Sequence, residues 1–123
     1  MRFMVRSLVA IWMVLFASMA LAQQWYEGGT LHEATLVEWN QAAPENKLAT
    51  IGDMVSATYN QGSFVPLIQN TISSGRMPAI KKIAETLVGQ MDQVANDPKV
   101  SASDHMVVEA LLMLMMANDM LKK

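Results

Sequence analysis

The stretch MPAIKKIAETLVGQMDQVAN, residues 77–96, decides the fold class. Its apolar residues Ile80, Ile83, Ala84, Leu87, Val88, Met91 and Val94 recur at three and four residues, the spacing of one face of an α-helix. Lys81, Lys82, Glu85, Gln90, Asp92 and Gln93 take the other side, so the helix buries one stripe and solvates the rest. Asn96-Asp97-Pro98 ends it, because proline excludes the helical conformation from the residue before it.

Working outward toward the C-terminus, Ser101 and Asp104 have capping-box spacing, and a last helix is expected from there toward Leu121. Between Met106 and Ala117 its only charge is Glu109, and apolar residues occupy nearly every face. Such a helix belongs at the centre of a bundle or in a membrane, and this one is too short to span a bilayer. It is therefore expected at the core, wrapped by amphipathic neighbours.

Toward the N-terminus, Pro44 opens a helix that carries Leu48, Ile51, Met54, Val55 and Thr58/Tyr59 on one face, with Glu45, Lys47 and Asp53 elsewhere. Gly52 within it suggests a close helix crossing, and Asn60-Gln61-Gly62 is the stop. Pro66 opens a brief helix through Leu67, Ile68, Thr71 and Ile72, limited by Ser73-Ser74-Gly75. Upstream, Thr35 with Glu38 has the form of a capping box, as does Thr30 with Glu33, and Leu36 and Trp39 then share a face. Residues 23–30 lack a period and form an irregular arm. Its Trp25 and Tyr26 either cover one end of the core or anchor a partner. The expected architecture is an all-α bundle of four to five helices, with an arm and short helix over 23–43 and a helical domain over 44–123.

The first residues concern location. Arg2 and Arg6 precede an uncharged, mostly apolar run from Ser7 to Met19, and Ala20-Leu21-Ala22 offers a small-x-small cleavage site before Gln23. Residues 1–22 are thus expected to be a cleaved signal peptide, which places the chain in the periplasm with no stable membrane anchor after cleavage. Of 123 residues, 101 remain, with seven basic against eleven acidic side chains, a net charge of −4. That balance argues against nucleic acid as a partner. The absence of cysteine excludes a disulfide framework, a thiolate metal site and a thiol nucleophile.

No catalytic constellation emerges. His32-Glu33 begins like a zinc-protease motif, but Leu36 stands where the second histidine belongs. His105 and Glu109 share a helix face without further ligands, and no serine lies in a nucleophile-elbow context. No catalytic residue, metal or cofactor is expected. The methionines are the compositional oddity: Met106, Met113 and Met120 recur at seven residues, with Met115 and Met116 beside them. Three uses are open to them. They can fill the core, bind Cu(I) through soft thioethers, or form an adaptable surface for apolar segments of other proteins. The last use makes Met106, Met113 and Met120, together with Trp25 and Tyr26, the candidate partner-binding residues.

The helix bearing Leu48-Ala49-Thr50-Ile51-Gly52-Asp53-Met54, the later amphipathic helix and the leader together resemble the HdeA-type periplasmic acid-stress chaperones, over about residues 44–120. At the place of that family's cysteine stands Ile51 or Gly52. The resemblance implies a cofactor-free chaperone that passes from homodimer to client-binding monomer in acid. Protonating the eleven carboxylates and two histidines of the mature chain leaves +9, a charge that loosens a small domain below about pH 4. Small immunity or assembly proteins that bind one dedicated envelope partner fit the same description, and differ in needing a preformed contact face.

Overall fold

Prolines set the starts of three helices, since a residue with φ already fixed and no amide hydrogen suits the first helical position. The computed structural model describes residues 24–101 and 104–123, and the expected signal peptide over 1–22 lies outside them. Helix α1 is Leu36–Gln41, α2 is Pro44–Asn60, α3 is Pro66–Ala95, α4 is Pro98–Ser101 and α5 is Val107–Ala117. The chain is an all-α protein, a small bundle with five helices among the described residues.

Helix α1 is only six residues long, and side chains fix its N-terminal end. Thr35 accepts from the Glu38 amide while Glu38 reaches back to the Thr35 amide, the reciprocal capping box. Its Leu36 and Trp39 are fully buried. The Trp39 indole and the Lys47 ammonium both donate to one oxygen of Asp92, each at 2.9 Å. Asp92 thereby ties α1, α2 and α3 together, and Lys47 also lies over the Trp39 ring at 5.3 Å.

The arm folds back over α2. Asn46 and Thr50 supply side-chain hydrogen bonds to Thr30 and Leu31, and His32 meets Asp53 at 3.0 Å. Gly29 allows this approach, because a Cβ there would sit 2.7 Å from the Thr50 nitrogen. Gly52 does the same for Trp25, whose ring lies 2.7 Å from where a Cβ would be. The expected helix crossing at Gly52 is therefore an aromatic ring of the arm lying on α2.

Helix α3 touches each of the other four described helices and is the hub of the bundle. Ile80, Ala84, Leu87, Met91 and Ala95 form its buried stripe. The expected pair of helices is present as two arms of one element. Ser73-Ser74-Gly75 stays helical and the break falls at Arg76, with φ 54 and ψ −136, two residues before Pro78. A positive φ on a residue with a Cβ costs on the order of 1–3 kcal/mol.

The placement of α5 corrects two expectations. The helix begins at Val107 after the N-cap Met106, with Asp104 outside it, and no side chain caps it. Nor is it wrapped at the centre. Val107, Ala110, Leu111 and Met115 are buried, whereas Val108, Leu112, Met113 and Met116 are 48%, 52%, 68% and 61% exposed. The physical reason lies at its ends, where backbone ties are joined at the rear by the Asn118 side-chain amide donating to Gln90 of α3 at 2.8 Å. In front, Val107 donates to the Ala34 carbonyl and Leu36 to the His105 carbonyl, at 2.9 and 3.0 Å, forming the isolated bridge Thr35↔Met106. Behind, Val65 donates to Met120 and Lys122 to Ser63, at 2.8 and 2.9 Å, around the bridge Phe64↔Leu121. Two such ties pin a short helix along the flank of α3, where only one of its faces can be covered.

Candidate functional site

Positions 108, 112 and 116 follow one another at every fourth residue, and 113 lies beside them, so their side chains share the outer side of α5. All four are apolar and exposed. The charge on that side is Glu109 in the first turn, 3.6 Å from His105, with both side chains more than half exposed. Neighbouring exposed apolar side chains of this kind make the face a candidate contact site.

A groove of about 300 Å³ adjoins the face. Leu36 of α1, Val94 of α3, Val100 of α4 and Ala110, Met113 and Leu114 of α5 form its walls. His105 and Glu109 stand at its rim. Met113 thus borders both the groove and the open face, and its unbranched thioether can fit irregular apolar shapes. The arrangement offers a partner one hydrophobic ridge, one hydrophobic recess, and the polar His105–Glu109 pair at their edge.

The five partner-binding candidates separate in space. Met113 stands on the α5 face. Met106 is half-buried at the N-cap, in the bridge to Thr35. Met120 is buried, because α5 ends at Ala117 and the chain then reverses through Asp119, with φ 54. The Met120 amide donates to the Met115 carbonyl and the Asp119 amide to that of Met116, a Schellman motif that turns Met120 inward. The seven-residue methionine spacing therefore does not form a single stripe. Trp25 and Tyr26 remain together, with ring centroids 5.6 Å apart and nearly perpendicular planes. Trp25 packs on Gly52 and lies 5.9 Å beneath the Lys81 ammonium, and Tyr26 is partly exposed.

Val108, Leu112 and Met116 are exposed, although the sequence pattern placed them in the core. The signal for them was the lack of any polar face on α5, combined with a chain too small to surround a helix completely.

Among the described residues, no group of three or more His, Asp or Glu side chains is placed to hold a metal ion, and no helix is long and apolar enough to cross a membrane. Comparison of the chain with protein-family models, with curated proteins and with solved structures finds no match in any of the three.

Proposed function

We propose that this chain is an exported helical binding protein that engages a dedicated partner protein through the outer face of α5 and the groove beside it. Export rests on the leader read from residues 1–22. The observation that carries the binding reading is that Val108, Leu112, Met113 and Met116 are exposed in the folded state. A surface already formed suits a dedicated partner, as for an immunity or assembly protein, because no unfolding step has to precede recognition.

The test is recovery of the protein from the cell envelope at neutral pH. The expected result is a processed chain beginning at or near Gln23, bound to one stoichiometric partner that is lost with Leu112→Glu and Met116→Glu. Retention of residues 1–22 in a membrane pellet overturns the export reading. A partner unaffected by both substitutions overturns the assignment of the face.

A second reading, the acid-stress chaperone, draws support from Asp92 and Glu38. One carboxylate joins three helices and the other closes the α1 cap, so acid acting on them weakens two of the contacts that hold α1 in the bundle. That reading expects diverse clients captured only in acid, with suppressed aggregation of an acid-denatured protein.

A further inference from the structure

The break in α3 borders a second cavity, and none of the residues lining it belongs to α5. The cleft measures about 500 Å³ and lies between the last turns of α2 and the two arms of α3. Ser56, Tyr59 and Asn60 contribute polar groups from α2, and Ser73 and Arg76 do so from α3. The Tyr59 and Ser73 hydroxyls are 2.8 Å apart. Ile72 and Ile80, both buried, and Met77 complete the lining with apolar surface.

Arg76 is the unusual component. Its backbone occupies a region that suits glycine, yet the residue carries the longest cationic side chain available. That side chain is exposed and makes no hydrogen bond or ion pair with any described residue. The strain is therefore offset by no polar contact of the guanidinium within the described structure. The surroundings are also biased in charge. Between Asp53 and Glu85 the sequence contains no acidic residue, while Arg76, Lys81 and Lys82 fall within it. In a mature chain of net charge −4, both segments that build this cleft are free of carboxylates.

We propose that the cleft binds a small monocarboxylate with a short aliphatic tail. The Arg76 guanidinium takes the two carboxylate oxygens through parallel N–H donors, a geometry that lysine cannot reproduce. The hydrogen-bonded Tyr59–Ser73 hydroxyl pair lies alongside with one proton left to donate, and the tail lies against Ile72, Met77 and Ile80. The need for a cation at this mouth then accounts for an arginine where the backbone favours glycine.

Hexanoate is the probe, followed by amide chemical shifts of the full mature protein, with acetate and hexanol as controls for tail and charge. The expected result is saturable shifts centred on residues 56–60 and 72–80, with both controls weaker by about tenfold or more. Arg76→Gly is expected to abolish binding and raise the melting temperature, a combination that a purely structural arginine cannot give. Tyr59→Phe, which keeps the ring, should weaken hexanoate several-fold, and Arg76→Lys should bind more weakly than the parent chain. Equal binding of hexanol, unchanged binding in Arg76→Gly, or a lower melting temperature in that variant overturns the proposal, as does the absence of hexanoate binding.

Discussion

The second arm of α3 and the whole of α5 are both helices with one buried stripe, yet their other faces are opposites. Outside its stripe, α3 carries Lys81, Lys82, Glu85 and Gln93, whereas α5 carries Val108, Leu112, Met113 and Met116. In α3 the alternation of apolar and polar residues itself selects the inward face. In α5 nothing in the side-chain pattern makes that selection, and the ties at residues 34–36 and 63–65 make it instead. Apolar content alone therefore ranks these two helices in the wrong order of burial. The less apolar one is the hub, because it is long enough to touch all the others, and the more apolar one lies at the surface.

The strongest way to break this comparison is to truncate one leucine in each helix. Leu87 of α3 is almost fully buried, and Leu87→Ala should cost about 2–5 kcal/mol, the range for a large-to-small change in a packed core. Leu112 of α5 is about half exposed, and Leu112→Ala should stay within roughly 0.5 kcal/mol. Urea unfolding of the two variants is the measurement. Equal losses would mean that α5 is covered in solution.

The contrast also separates what the sequence discloses from what it conceals. Helix α2 is legible almost to the residue, because Pro44 and the Gln61-Gly62 turn act through local geometry, whereas α1 is legible only as one of two capping-box starts, of which Thr35 with Glu38 is the one formed. The long stripe of α3 is legible for the same reason. The break is displaced from Ser73-Ser74-Gly75 to Arg76, since Pro78 lacks an amide hydrogen and its ring crowds the preceding turn, while a glycine can remain helical. The position of α5 is hidden because backbone groups form four of its ties, and any residue but proline can supply an amide. Of the five residues proposed for partner contact, Met113 is the one on the exposed face. Met120 departs from that face because spacing by seven has meaning only while the helix continues, and this helix stops at Ala117.

A medium effect is expected where α1 meets α3. Asp92→Ala leaves the Trp39 indole and the Lys47 ammonium without their shared acceptor. The joint is partly open to water, with the Asp92 side chain 42% exposed, so water takes over some of the lost hydrogen bonding. The expected destabilisation is about 1–3 kcal/mol. Asp92→Asn keeps an acceptor for Trp39 but removes the charge facing Lys47, and should fall between the parent chain and Asp92→Ala. Thermal unfolding orders the three proteins. If Asp92→Asn matches the parent chain, the carboxylate charge contributes nothing, and the acid-release reading loses its main support.

The smallest effect belongs to the rear end of α5 and has the opposite sign. Asp119 occupies the left-handed position of the Schellman motif, with φ 54, and it does so with a Cβ and a negative charge. Glycine fits that conformation without steric cost, and removing a carboxylate from a helix C-terminus relieves its repulsion with the exposed carbonyl groups. Glycine also widens the conformational freedom of the unfolded chain, which subtracts from the gain. Because Asp119 is exposed, no packing is lost. The net expectation for Asp119→Gly is a stabilisation of about 0.5 kcal/mol, read as a higher urea midpoint at unchanged slope. If α5 is held mainly through its ends, hydrogen exchange at Asp119, Met120 and Lys122, whose amides form the rear turn and tie, should slow in this variant more than exchange within α3. A uniform change across both helices would show that the rear tie opens only with the whole domain, and that α5 is as firmly seated as the hub it lies against.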